Sequence, residues 1–116
     1  MASQFAEEML SLLKKAFPSA KIISEHFVNY TGNQLFFDFY LPAMNILIEC
    51  QGEQHYKFVT HFHGTQAEYK VAKRRDQLKR EWAKQEKIPL LEIKFNKRPE
   101  TPMELFNMIH KAVFSE

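Results

Sequence analysis

A four-residue link restricts the fold of this chain more than any other feature of its sequence. It runs from Pro42 to Asn45 and joins two apolar segments, Leu35 to Leu41 and Ile46 to Gln51. Both segments have the length and composition of largely buried β-strands. A link this short favours antiparallel neighbours, because a parallel pair needs a crossover of a dozen or more residues. We therefore expect the two segments to lie side by side in one sheet.

Apolar periodicity and turn signals predict three helices and two further strands. The first helix is capped by Ser3 and runs to about Ala16, and a strand from Lys21 to Tyr30 precedes the two strands above. A second helix, capped by Thr65, runs to about Lys87 and is followed by a strand from Leu90 to Phe95. Thr101 and Pro102 open the last helix, whose predicted inward residues are Met103, Phe106, Ile109, Ala112 and Val113. The strands before and after the long helix can pair in parallel through a right-handed crossover. The expected fold is α/β (α+β), a single domain over residues 1–116 of αβββαβα order, with a mixed four-stranded sheet flanked by helices.

Composition and charge exclude several classes of protein. Of the 116 residues, 45% are hydrophobic and 14% aromatic, which supports a packed core and argues against disorder. The net charge of +2 is too small for strong independent binding to a polyanion. The one cysteine, Cys50, cannot form a disulfide within the chain. No segment reaches the ~20 apolar residues of a membrane span, and the first residues lack the basic region of a signal peptide, so we expect a cytoplasmic protein.

Two carboxylates interrupt the apolar strands that the short link joins. Asp38 stands within Phe-Phe-Asp-Phe-Tyr and Glu49 within Ile-Leu-Ile-Glu-Cys. A buried carboxylate is costly unless it is paired or binds a metal. Adjacent strands can bring the two acids together, and Gln51 shares a strand face with Glu49. With the main-chain carbonyl of Cys50, they form an oxygen site that suits Mg²⁺ or Mn²⁺, which would activate a water and stabilise charge on a phosphate.

The long helix carries a basic run that allows two interpretations of these acids. Arg74, Arg75, Lys79 and Arg80 lie close together on it. In the first interpretation they contact nucleic-acid phosphates beside a metal site. In the second, the run is a solvated helix face and a side chain such as Arg75 or Lys79 neutralises the acids.

Histidines are concentrated in the polar and aromatic segment between residues 52 and 64, which we expect to be a loop. His55 follows closely after Gln51, and His61 and His63 lie further on. A structural zinc site is a weaker alternative, because no second cysteine accompanies them. His55 could equally be a structural loop residue that donates a hydrogen bond to a backbone carbonyl.

The spacing of Asp38 and Glu49-Cys50-Gln51 resembles the signature of the PD-(D/E)XK nuclease superfamily, whose restriction-endonuclease-like core has the αβββαβ order predicted above. Gln51 stands where that signature usually has lysine. The strings Phe37 to Pro42, Ile48 to Tyr56 and Arg75-Asp76 resemble the EDxHD group, phage homing endonucleases related to very-short-patch-repair (Vsr-like) endonucleases. The resemblance covers nearly the whole chain.

This resemblance implies a DNA endonuclease of a bacterial or phage-infected cell that hydrolyses phosphodiester bonds with Mg²⁺ or Mn²⁺. The catalytic residues that it implies are a first-helix acid at Glu8 (Glu7 also qualifies, but Glu8 shares a face with Phe5 and Leu12), then Asp38, Glu49, Gln51, His55 and Asp76. His55 would act as general acid or base or hold the scissile phosphate. Gln51 can orient a water but cannot take its proton, so Lys79 is a candidate replacement for the missing lysine.

Two other hypotheses stay open. The first is a catalytically inactive nucleic-acid-binding module on the same fold, which the absence of the lysine favours. The second is a nuclease subunit of a larger RNA- or DNA-processing complex. Since the basic surplus is small, we expect a homodimer or a separate DNA-binding domain to assist binding to DNA.

Overall fold

The structure of the chain, a computed structural model, describes residues 3–52 and 66–115. Its elements are helix α1 (Gln4–Ala16), strands β1 (Ile23–Tyr30), β2 (Asn33–Leu41) and β3 (Ile46–Gln51), helix α2 (Gln66–Glu86), strand β4 (Leu90–Lys94), a short 3₁₀ turn (Phe95–Lys97) and helix α3 (Pro102–Phe114). The fold is α+β, and the predicted αβββαβα order is confirmed. None of the helices in the described part of the chain has the length and apolar character that a membrane crossing requires.

The four strands form one mixed sheet in the order β1-β2-β3-β4. β1 pairs with β2 and β2 pairs with β3 in antiparallel orientation. β3 and β4, which flank α2 in sequence, pair in parallel. Both predicted pairings of β3 are therefore confirmed, and they follow from the lengths of the connections on either side of it.

Local capping signals fix two of the helix starts. The Ser3 hydroxyl accepts a hydrogen bond from the backbone N–H of Ala6, and the Thr101 hydroxyl accepts one from Glu104. Such caps satisfy N–H groups that have no partner within the first helical turn. Thr65, the predicted cap of α2, lies outside the described residues.

Each face of the sheet has its own apolar cluster. Helices α1 and α3 cover one face, where the buried residues are Ala6, Met9, Leu13, Phe39, Leu41, Ile46, Ile48, Cys50, Ile93, Leu105 and Ile109. Helix α2 covers the other face, where the buried residues are Leu35, Phe37, Leu47, Leu78 and Ala83, with Trp82 packed against them. Because strand residues alternate between faces, Glu49 and Gln51 share the α2 face with Leu47.

Strand β2 changes face in its middle, at Asp38. Leu35 and Phe37 pack under α2, whereas Phe39 packs under α1 and α3, although regular alternation would put all three on one side. The ladder with β1 skips the position where Glu25 stands opposite Asp38, and Glu25 has φ of 50°. A positive φ is uncommon for a residue other than glycine. This irregularity places Asp38 where the strand turns over.

The predicted inward face of the last helix is partly wrong. Ile109 is buried as expected, but Met103 is 66% exposed and Phe106 is 39% exposed. Leu105, four residues before Ile109, takes the central position. Phe106 instead stacks on Phe17 at the rim of the core, with ring centroids 5.4 Å apart. The apolar stripe is therefore centred one residue away from the predicted one.

Candidate functional site

Two hydrogen bonds between β2 and β3 connect Asp38 to Glu49 and to the next residue, Cys50. The backbone N–H of Asp38 donates to Oε1 of Glu49 at 2.7 Å, and the backbone N–H of Cys50 donates to Oδ2 of Asp38 at 2.7 Å. The β2–β3 ladder runs from Leu41–Ile46 to Phe39–Ile48. At the next position the side-chain carboxylates bridge the two strands in place of backbone bonds. The structure thus brings together the two acids that the short link predicted to be neighbours.

Lys79 of α2 forms an ion pair with Glu49 from above the sheet. Its Nζ lies 3.0 Å from Oε2 of Glu49, and the Lys79 and Glu49 side chains are 12% and 8% exposed. The same Nζ lies 5.7 Å from the centroid of the Phe37 ring. For Glu49, the structure therefore shows the ion pair to a basic helix residue that the sequence left open. The pair lies next to Asp38, so three charged groups meet where β2 and β3 separate.

Burial controls the protonation of this cluster. Removal from water raises the pKa of Glu49 to about 7, and the charge of Asp38 adds to the rise, whereas Lys79 opposes it. Burial also raises the pKa of the Cys50 thiol, and the two carboxylates add to the effect. Cys50 is therefore a neutral thiol at neutral pH and contributes little as a nucleophile, since the thiolate is the reactive form.

A second polar group continues the site along β3 and β4. Gln51 donates through Nε2 to Oε1 of Glu92, and Nε and Nη2 of Arg80 each lie 2.9 Å from the same oxygen. These bonds to Glu92 raise the pKa of Arg80 further. Glu92 is a site residue that was not among those predicted from the sequence. The signal was available, because Glu92 interrupts an apolar strand in the same way as Asp38 and Glu49.

Of the remaining predicted site residues, some lie on the described helices and others fall outside the described residues. Glu8 of α1 pairs with Arg98, with Oε2 and Nη1 2.9 Å apart, in the helical layer across the sheet from α2. Asp76 is half-buried on α2, and its charge helps to raise the pKa of Arg80. Arg74 and Arg75 are exposed on α2. His55, with His61 and His63, lies outside the described residues. The roles predicted for all of these residues stay predictions.

Within residues 3–52 and 66–115, no three side chains of His, Cys, Asp or Glu are grouped closely enough to form a metal site by themselves. The described carboxylate cluster thus consists of a pair, Asp38 and Glu49, together with the cation of Lys79. Among the described residues, a divalent ion bound here would find two carboxylates and the main chain as protein ligands.

Comparison with known proteins gives one informative relative. The chain is 32% identical over 72 residues to Uncharacterized protein 307L of Invertebrate iridescent virus 6. The matched region covers 62% of this chain and 36% of the viral protein, so the similarity spans about a third of that relative's length. No family model matches the chain, and no solved structure matches it.

Proposed function

We propose that the chain is a metal-dependent endonuclease of the PD-(D/E)XK type, which hydrolyses phosphodiester bonds in DNA. One observation carries the proposal, namely that Asp38 and Glu49 bridge β2 and β3 where the backbone ladder stops. Gln51 follows on the same face of β3, and Lys79 contacts Glu49. Two carboxylates, an amide and an ammonium in one half-buried cluster are a costly arrangement for stability alone.

The donor set fits Mg²⁺ or Mn²⁺. Mg²⁺ commonly takes one or two carboxylates from a protein and completes its octahedron with waters and substrate phosphates. A carboxylate oxygen has two lone pairs, so an oxygen that accepts a hydrogen bond can also ligate a metal. The main-chain carbonyl of Cys50 is the third protein ligand that we propose, whereas its neutral thiol offers little to a softer metal. A bound Mg²⁺ would lower the pKa of an attacking water and stabilise charge on the phosphate.

The neighbouring residues have separate roles in this proposal. Gln51, held by Glu92, positions the attacking water through its amide but cannot remove a proton from it. Lys79 of α2 contacts Glu49, and we propose that it replaces the missing strand lysine. Its ammonium can donate to a phosphate oxygen or to the water. His55 and Asp76 stay as proposed acid–base or phosphate-orienting residues, and Glu8 as the proposed helix acid.

An inactive nucleic-acid-binding module is a second candidate, and the Glu49–Lys79 ion pair favours it. A buried carboxylate with its own cation has no need of a metal for charge balance. A nuclease subunit of a larger RNA- or DNA-processing assembly is a third candidate, because a net charge of +2 is too small for strong binding to a polyanion by the chain itself. A homing or repair role, a cytoplasmic location, and assistance from a second copy or a DNA-binding domain belong to the proposal as well.

Nicking of supercoiled plasmid DNA tests the proposal. We expect Mg²⁺ or Mn²⁺ to support cutting, EDTA to stop it, and Asp38→Asn to reduce it at least 100-fold, a loss on the scale of about 3 kcal/mol. The asparagine oxygen can still accept the bond from Cys50, so the fold should survive. Glu81→Gln, an exposed acid on α2, is the matched control.

Three outcomes separate the candidates. Cutting that persists in EDTA and in Asp38→Asn contradicts the metal-dependent nuclease. Binding of DNA without cutting, in every metal, supports the inactive module. Cleavage of RNA but not DNA supports the RNA-processing subunit.

A further inference from the structure

We propose that the groove between α2 and the β1–β2 hairpin holds one strand of nucleic acid by its phosphates and leads it to Asp38 and Glu49. The inference rests on the proposed function and identifies where its substrate lies. We call this feature the α2–hairpin groove. It has a volume of about 870 Å³, with Lys70, Arg74, Arg75 and Lys79 on the α2 side and residues 32–36 on the hairpin side.

The cations on the α2 wall are spaced like a track for a phosphate backbone. Lys70 and Arg74 are four residues apart, as are Arg75 and Lys79, so each pair is adjacent on the helix surface. All four basic side chains line the groove. From Lys70 to Lys79 the helix rises roughly 14 Å, about four steps of 3.4 Å along one strand of a duplex. The row is therefore long enough to contact several successive phosphates.

The charge of the α2–hairpin groove has a single sign. Among the described residues that line it there is no Asp or Glu. Lys70, Arg74 and Arg75 form no ion pair with any other described residue, in contrast to Lys79 and Arg80 on the same helix. Cations that have no carboxylate partner in the described part of the chain attract a polyanion and can hold its phosphates through charge-assisted hydrogen bonds.

The hairpin wall is neutral and open, which suits a backbone lying against it. Gly32 has φ of +81° and no atom within 4 Å of the position of a Cβ. Asn33 and Gln34 add amide groups to the same wall. Leu35 and Leu78, both buried, form the floor. Amides and an uncrowded backbone can approach a sugar–phosphate chain without selecting its sequence.

Lys79 joins the α2–hairpin groove to the carboxylate cluster. It lines the groove and also lies 3.0 Å from Glu49. A strand that follows the cationic row therefore arrives at the point where β2 and β3 separate, next to Asp38. The direction of the row, from Lys70 inward to Lys79, gives the bound strand a path into the proposed active site.

Fluorescence anisotropy with labelled single-stranded and duplex DNA of about 20 nucleotides tests the groove. The full chain in EDTA is compared with Lys70→Glu/Arg74→Glu and with the matched control Lys14→Glu/Lys15→Glu, which changes the net charge equally on exposed positions of α1. We expect the groove variant to bind at least 10-fold more weakly and the control to stay within twofold. The slope of log K against log salt should also fall in magnitude by about 1.5 in the groove variant alone. The neutral variant Lys70→Gln/Arg74→Gln should show an intermediate loss.

Several results would contradict the binding of nucleic acid in the α2–hairpin groove. Equal losses in the groove and control variants mean that only net charge matters. An unmodified chain that binds neither DNA form, or a polyglutamate peptide that binds equally well with the same dependence on Lys70 and Arg74, also contradicts a nucleic-acid strand.

The same variants distinguish failure of the groove from failure of the proposed function. Asp38→Asn should bind DNA within threefold of the unmodified chain but not cut it. If the groove variant binds and cuts normally, nucleic acid does not bind in the α2–hairpin groove, and the nuclease proposal is unaffected. If the groove variant loses binding but Asp38→Asn cuts normally, binding in the groove is supported and the proposed metal site is contradicted.

Discussion

The two faces of the central sheet differ in what they bury. Helices α1 and α3 cover one face with a continuous apolar cluster, including Leu13, Ile48 and Leu105. The face under α2 has a smaller apolar cluster next to buried polar groups, among them Glu49 and Gln51. The apolar face can supply stability through burial alone, whereas the α2 face holds buried charges whose desolvation costs stability unless ion pairs and hydrogen bonds offset it. The contrast separates the residues that hold the fold from those that we propose to perform chemistry.

The largest expected loss of stability lies on the apolar face. Leu13→Ala removes a fully buried side chain from α1 and should lower the free energy of unfolding by about 3–4 kcal/mol. Urea denaturation measures the loss, and nicking per folded molecule should be unchanged. The exposed neighbour Lys14→Ala is the control. A loss below about 1 kcal/mol would mean that this face contributes less than its burial implies.

Lys79→Met should cost about 2–3 kcal/mol at pH 8, because it leaves the buried Glu49 carboxylate without its cation. At pH 5.5 the cost should be smaller, since Glu49 can bind a proton instead. Unfolding at the two pH values measures the difference. Adding Glu49→Gln should recover most of the loss at pH 8. Equal costs at both pH values would show that Lys79 contributes only through packing.

Glu49 should make the stability of the metal-free protein depend on pH. Its pKa is about 7 when folded, against 4.5 for an ordinary glutamate, so the folded state binds more protons between these values. Its contribution therefore falls as pH rises from about 4.5 to about 7. Relative to the unmodified chain, Glu49→Gln should gain up to about 3 kcal/mol across this window. Parallel stability curves in EDTA would contradict the raised pKa.

The smallest expected effect is at the Glu8–Arg98 ion pair. Both side chains are more than 40% exposed, so Glu8→Gln should change the free energy of unfolding by less than about 0.5 kcal/mol. The double variant Glu8→Gln/Arg98→Gln controls for the charge left behind. Loss of nicking with unchanged stability is the result that the family resemblance predicts for Glu8. A stability loss above 1 kcal/mol would give it a structural role instead.

The element order and the meeting of Asp38 with Glu49 could be predicted because they depend on local quantities. Connection lengths determine which strands of the sheet are antiparallel or parallel, and cross-strand neighbours follow from that pairing. The contact between Lys79 and Glu49 depends on how α2 crosses the sheet, which no spacing in the sequence specifies. For that reason Arg75 and Lys79 were equal candidates, from the sequence, for the cation that pairs with the buried acids.

The change of face at Asp38 and the side of α3 that is buried could not be predicted from the sequence either. The positive φ of Glu25 runs against the preference of its residue type, so it reflects tertiary packing. In α3, apolar residues occur on more than one side, and packing against Phe17 rather than periodicity decides the position of Phe106. Glu92 could have been found by the rule that selected Asp38 and Glu49.

Binding of Mn²⁺ in the presence of an oligonucleotide tests most directly whether Asp38 and Glu49 hold one divalent ion together. Electron paramagnetic resonance measures the loss of the free Mn²⁺ signal as the full chain is titrated. We predict one saturable ion per chain for the unmodified protein and for Glu81→Gln, and loss of that ion in Asp38→Asn and in Glu49→Gln. Equal Mn²⁺ binding by Asp38→Asn, or no binding by the unmodified chain, would contradict the metal site.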